Sequence, residues 1–533
     1  MDYLLDKYVF DFLPFAVAPE TRKSIGQRAL TVVQWADWFC KYESPLKILQ
    51  NNPYFLFADA LFVFLCFLTF MHAYRHGARH MYVWIAFTIH AFNLELLSLS
   101  VPDLNLSWHA QGVLSFFGMR VPLYALFGIH QMFGYTAYVL VSRMRLPWIA
   151  EGPAVGLSSA MLLIPYRVLG TKLVWWTWHD TDPTIKDRMF WVPWSLLYFY
   201  AACMCSFVWI IHLSRHLLLE REYDWMKFPR ELLCSVLAGT LSFWLGTVQF
   251  SLFYYPLHDF FAIHTEITTV LFFSLYAAIV FVADRNNFGA DARTGSLTRF
   301  WFDELSCAIC LEYIFLMVLV VISDPLNIVS EGIHQAIGPC KQMEEVNSPA
   351  GLVLQREKYL CATRYDEKYF DFHCVPNGAP KQQDDGSGKL LPLEYYPLCG
   401  TDFENRAEYI VVIWGCCILF GFFFYQMAAC SGSTPVDPVK IRRRVLRQYK
   451  PLSRDRSAEN APTSSNYDDR AYQRESFLNS EHDAFKKPTV STKVRAAKNR
   501  MRSSSVKASK KVVQRKKNAP ETAHLLRSVS HNL

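Results

Sequence analysis

Charge is scarce in this chain. Asp, Glu, Lys and Arg make up 19% of its 533 residues, below the roughly 25% of soluble domains, and that share is unevenly spread. Residues 431–533 hold 24 Lys and Arg against 9 Asp and Glu, a net of +15. With a chain total of +7, the first 430 residues therefore carry −8. The chain lacks a repeat at any solenoid or propeller period, and its halves lack the similarity of an inverted-repeat transporter. Residues 1–15 carry Asp2, Asp6, Lys7 and Asp11 without a basic start or a long apolar core, which argues against a cleavable signal peptide there. Leu4, Leu5, Tyr8 and Phe12 share one face at helical spacing instead, the pattern of an interfacial helix.

What the chain has is length of apolar sequence. Runs near bilayer length occupy residues 54–71, 81–101, 121–141, 152–168, 190–213, 231–254, 264–283, 306–323 and 408–428. A helix needs about 20 largely apolar residues to cross the hydrocarbon core, and only self-satisfied helices or closed barrels can do so. The expected fold class is all-α, a polytopic transmembrane helical bundle of about nine spans with a disordered basic C-terminal tail. Residues 1–53 form an N-terminal luminal or extracellular segment, and 54–323 hold spans one to eight. A disulfide-bearing loop covers 324–407, the last helix 408–428, and the tail 429–533. The fourth run, with Gly152, Pro153 and Pro165, is the weakest spanning candidate.

Basic residues set the orientation. Arg75, Arg79 and His80 follow the first run, Arg143 and Arg145 the third, Arg215, Arg221, Lys227 and Arg230 the fifth, and Arg285, Arg293 and Arg299 the seventh. Every second connection is thus basic and belongs in the cytoplasm. That leaves the N-terminus in the lumen or outside and the C-terminus in the cytoplasm, in the endoplasmic reticulum or plasma membrane. The sequon Asn105-Leu106-Ser107 falls on the luminal side as a glycosylation acceptor. So do Cys340, Cys361, Cys374 and Cys399, which predict two disulfides with three possible connectivities. Arg442, Arg443 and Arg444, just past the last run, suit anionic lipid of the cytoplasmic leaflet at about 1 kcal/mol per basic residue. Phosphorylation of Ser503, Ser504 and Ser505 would release such a tail. The expected partners are membrane lipids, this anionic lipid and proteins that bind the tail. A membrane-tethered tail disfavours nucleic acid. The plainer alternative is a solvated tail that only sets topology.

Chemistry is sought among ionisable groups at membrane depth, which are costly there and usually line cavities, pair or act. Those residues are Asp59, His90, Asn93, Glu95 and His130 in the runs, and His264 and Glu266 at the start of the seventh. His179, Asp180 and Asp182 join them from one loop, and His258 and Asp259 from another. On the assigned topology most lie in the luminal half, which predicts one polar chamber open to the lumen. Glu95 sits about 200° around its helix from Asn93, so a shared site needs other helices. Three chemistries fit: zinc-assisted lipid hydrolysis, proton-coupled transport by Glu95 or Glu266, and protonation of an isoprenoid alkene by a buried acid. The His258–His264 and His264–Glu266 spacings match no tight metal motif, so no metal and no cofactor is assigned. The alternative is structural, with interfacial histidines and carboxylates paired to Arg167 or Arg120. Trp175, Trp176, Trp178, Trp191 and Trp194 likewise suit an interfacial belt.

Residues 162–180 read LLIPYRVLGTKLVWWTWHD and residues 191–200 read WVPWSLLYFY. With Glu95 and Val121-Pro122-Leu123-Tyr124 upstream, this stretch resembles the integral-membrane carotenoid (bisanhydrobacterioruberin) hydratase family over about residues 85–285. Ile164-Pro165 stands where that family has Asp-Pro. The resemblance implies a shared membrane architecture and a lipid or isoprenoid ligand. It makes Glu95 the acid, tuned by His90 or His130. A transporter or a membrane scaffold acting through the tail is the alternative.

Overall fold

Long apolar runs fold into helices whose connections alternate between two ends of a bundle. The computed structural model describes residues 19–220, 223–285, 302–347, 352–376, 378–384 and 390–430, all within one unit, Met1–Ser480. Helix α1 (Pro19–Phe39), strand β1 (Cys40–Tyr42) and α2 (Pro45–Asn51) lead into α3 (Pro53–His76) and α4 (Arg79–Ser100). Strands β2 (Ser107–His109), β3 (Leu114–Phe116) and β4 (Val121–Pro122) precede a broken segment that ends in α5 (Thr136–Ser142). There follow α6 (Trp148–Lys172), β5 (Trp176–Trp178), β6 (Arg188–Met189), β7 (Val192–Pro193), α7 (Trp194–Leu218), α8 (Phe228–Tyr254), α9 (Thr265–Arg285) and α10 (Glu304–Ile322). Seven strands separate α10 from α11 (Arg406–Cys430).

Among the described residues, eight helices, α3, α4 and α6 to α11, are long and apolar enough to cross a membrane. Their outward faces carry large apolar side chains such as Phe57, Phe67, Trp244, Val248, Ile314 and Leu419, as surfaces meeting lipid require. Ion pairs tie one end together: Arg79 meets Glu231 at 3.1 Å, Arg75 meets Glu304 at 2.7 Å, and Arg143 meets Asp303. At the other end Asn52 donates to the Leu173 carbonyl at 3.2 Å, and the Asp324 amide donates to the Tyr54 hydroxyl at 3.0 Å. We term these the basic end and the β-rich end.

The fourth run is no weak span but the buried centre. Small residues (Gly152, Ala154, Gly156, Ser158, Ser159 and Ala160) line α6 and let neighbouring backbones approach. A Cβ on Gly156 would lie 2.6 Å from the Ala201 carbonyl oxygen of α7. Each proline in α6 removes a hydrogen bond from the carbonyl four residues earlier, and neighbours replace both. Trp209 donates its indole N–H to the Ile149 carbonyl at 3.1 Å. The Tyr313 hydroxyl of α10 donates to the Met161 carbonyl at 3.3 Å.

The third run carries the break. Ala125–Ile129 and Gln131–Tyr135 are π-helical turns, and Phe127 leaves helical geometry at φ −124° and ψ 46°. Gln131 donates its side-chain amide to the Leu126 carbonyl at 2.9 Å, inside the distorted segment, and to the Thr88 hydroxyl of α4 at 3.1 Å. Irregular backbone at membrane depth survives only inside protein or beside a water-filled cavity, and this segment is almost wholly buried.

The all-α expectation is corrected by the β-rich end. β8 (Val329–Ile337) pairs antiparallel with β14 (Leu393–Gly400), which pairs with β11 (Phe370–Asp371). β9 (Met343–Asn347) and β10 (Val353–Glu357) form a hairpin, and β12 (Gln383–Asp384) pairs with β13 (Leu390–Leu391). Burial alternates along most of β8, the period of a half-covered strand, but its buried side holds Ser330, Gly332 and His334, so no apolar alternation marked the strand in the sequence. The disulfides are Cys340–Cys361 and Cys374–Cys399.

Candidate functional site

The expected single chamber resolves into three separate places. Inside the bundle, His90 of α4 and His130 of the broken segment meet edge to face, ring centres 5.1 Å apart. His90 Nδ1 lies 2.8 Å from the Ser242 hydroxyl of α8. The His130 ring centre is 5.9 Å from that of Tyr200 on α7, and neither His130 Nδ1 nor the Tyr200 hydroxyl has a protein partner. Arg167 of α6 is the cation of this region. Its guanidinium lies over Trp176 at 4.7 Å, Trp178 at 5.6 Å and Tyr166 at 5.9 Å, cation–π distances that hold the charge in place. That charge reaches Glu95, His130 and Tyr200, and the Arg120 charge also reaches Glu95. Glu95 and Arg167 are each only half-buried. Arg120 donates to the Asn105 side-chain oxygen at 2.6 Å, so the sequon asparagine is engaged beside this cluster.

Glu312 on α10 escaped the sequence reading. It is fully buried, and neither carboxyl oxygen has a protein partner. A lone carboxylate in an otherwise apolar span was the available signal. Arg167 was visible only as a counter-charge, because its aromatic cradle comes from β5 and cannot be seen from the helix alone.

Two expected members have structural work. Asp59 accepts the Val113 amide at 3.3 Å and braces the loop before β3, while Asn93 donates to the Thr240 carbonyl at 3.3 Å and ties α4 to α8.

His179, Asp180 and Asp182 leave the chamber and hold the β-rich end to the bundle. The Asp180 amide donates to Gln335 at 2.9 Å, and Asp180 accepts the Asp366 amide at 3.1 Å. Arg356 bridges Asp182 at 2.9 Å and Glu344 at 2.7 Å. Gln335 donates to His179 Nε2 at 3.2 Å, and Thr177 lies 3.2 Å from His334 Nδ1. Burial, with Arg356 and Arg188 nearby, pushes His179 down to about 3, and burial alone does the same to His334. Both imidazoles are therefore neutral in the fold.

The third place is the turn between α8 and α9. His258 and Asp259 pair with each other at 2.7 Å under the Tyr254 ring. His264 and Glu266 are exposed, so Glu266 does not enter the bundle. Metal-type donors gather at Asp371, His373 and Cys399, but Cys399 is committed to a disulfide. Arg442, Arg443 and Arg444, and the interfacial helix expected over residues 1–15, lie outside the described residues.

One family matches residues 1–429, described as a domain of unknown function, DUF7802. The chain belongs to that family. No curated protein and no solved structure matches it. The DUF7802 region ends at the last turn of α11, so it takes in the bundle, the β-rich end and the whole polar cluster, and leaves the basic tail out.

Proposed function

We propose that this multi-pass membrane protein holds a lipid or isoprenoid ligand by its polar group in the Arg167 cluster. The observation that carries the reading is the meeting of two buried, unpartnered polar groups, His130 and Tyr200, near one aromatic-cradled cation. Buried polar atoms are almost always satisfied, so an unfilled set among apolar helices suits a polar head group with an apolar body between spans. Arg167 and Glu95 would bind the head group, and His90 and His130 would orient it. In the hydratase-like version Glu95 protonates an alkene carbon, water adds to the cation formed, and the resulting oxonium returns its extra proton to the Glu95 carboxylate, so substrate and product differ by one water. The β-rich end, with its disulfides, would face the lumen and the basic end the cytoplasm.

Mass spectrometry of lipid co-purified with the intact protein tests this. Wild type should retain one lipid class that Arg167→Gln and Glu95→Gln lose at unchanged melting temperature. Identical lipid profiles in all three proteins would overturn the reading. The broken third segment favours a second reading, ion-coupled transport, because interrupted helices mark transporter sites. Flux in proteoliposomes that Glu312→Gln abolishes would select it.

A further inference from the structure

The groups that gather at Asp371, His373 and Cys399 have a use other than metal, because Cys399 is one half of a bridge. Cys374 sits in the turn after β11, and Cys399 lies on β14, the strand between β8 and β11, in register with Asp371. The two sulfurs differ in access. Cys399 is fully buried, whereas Cys374 is part-exposed. A disulfide opens when a thiolate attacks one sulfur and the other sulfur leaves. Access therefore directs attack to Cys374 and makes Cys399 the leaving group.

A sulfur leaves faster when the charge it acquires is met. Two groups can meet it at Cys399. The Cys374 amide donates to Cys399 Sγ at 3.0 Å. A ring nitrogen of His373 lies within 4.8 Å of the same sulfur. Asp371 hydrogen-bonds His373 Nδ1 and accepts the His373 amide at 3.1 Å, which fixes the ring beside the bridge. The Asp371 carboxylate is just as near the sulfur, but the imidazole engages it. The side chains of His373 and Asp371 are 42% and 38% exposed, so the pair exchanges protons with solvent. The Cys340–Cys361 bridge is built differently. Its sulfurs lie 4.0 and 3.4 Å from the Thr363 hydroxyl, a neutral group.

We propose that Cys374–Cys399 is a thiol–disulfide exchange site for a dithiol, with His373 delivering a proton to the departing Cys399 sulfur. One thiolate of the dithiol bonds to Cys374 Sγ. The S–S bond breaks, and its electron pair goes to Cys399 Sγ, which takes the His373 proton. The second thiol then attacks the reagent's own sulfur in the mixed disulfide and releases Cys374. The two protons shed by the dithiol restore His373 and protonate Cys374. The reagent departs as a cyclic disulfide, and the protein has gained two electrons and two protons. After opening, β11 is held to β14 by the pairs Phe370–Gly400 and Asp371–Cys399 without the covalent link.

Timed exposure of the full-length protein in nanodiscs to dithiothreitol tests this, with maleimide trapping and peptide mass spectrometry to follow each bridge. His373→Gln should open Cys374–Cys399 about tenfold more slowly than wild type, with Cys340–Cys361 opening at one rate in both and the melting temperature unchanged. Equal rates for Cys374–Cys399 in the two folded proteins would overturn the role of His373, as would equal slowing of both bridges. A wild-type bridge that stays closed until the protein unfolds would overturn the site itself. Glutathione, a monothiol, gives a check that needs no variant. It should be caught on Cys374 of wild type, and an adduct on Cys399 would overturn the direction of attack.

Discussion

Arg356 is 4% exposed and shares its guanidinium between Asp182, 1% exposed, and Glu344. Removing one partner of a buried pair leaves an uncompensated charge and costs about 3–5 kcal/mol. Arg356→Ala should therefore loosen the β-rich end, read as faster hydrogen exchange in β8 and β14. Lys227→Ala at an exposed pair should change stability by less than about 1 kcal/mol. Acid acts on the same interface. His179 and His334, depressed to about 3, give stability that is complete above about 6.5 and is lost as pH falls toward 3. Glu367 works the other way. Burial raises it to about 7 against the pull of Arg188, so its contribution is present below about 4.5 and is lost as pH rises through 7. Two groups oppose one, so the β-rich end should melt at lower temperature as pH drops from 6.5 to 4.5. A melting temperature that rises over that window would contradict the assignment.

At the scale of the helix, the prolines of α6 make a separable test. Tyr313→Phe strands the Met161 carbonyl and should cost about 1–3 kcal/mol. In a Pro165→Ala background the helix recovers its own bond to that carbonyl, so the same substitution should cost far less. Unfolding of the four proteins in detergent gives the coupling energy, and purely additive effects would mean that Tyr313 does not replace the lost bond. The broken third segment has no such single cap. Its order rests on Gln131 and on burial, which is why hydropathy read it as an ordinary span.

For the whole molecule, alternation of basic connections predicts an orientation that protease protection measures. In intact microsomes a tag after residue 533 should be digested and the β-rich end protected; the reverse pattern would invert the topology. Much of this architecture was legible, since apolar runs and helices agree to within a few residues, as for 306–323 and α10. Less of the site was legible. His90 and His130 do meet, because both lie on inward faces of adjacent segments. His179 and Asp182 were misplaced, because the disulfide-bearing segment that covers them was read as a loop. Glu312 was passed over for want of a pattern around it.

The tyrosine that caps α6 has a consequence in time. Tyr313 lies 152 residues downstream of Met161, so at synthesis rates of about 5–20 residues per second the helix waits roughly 8–30 s for it. During that interval α6 exposes an open carbonyl to lipid or to the insertion machinery. Nascent chains that end before Tyr313 should be held by intramembrane chaperones, and longer ones released.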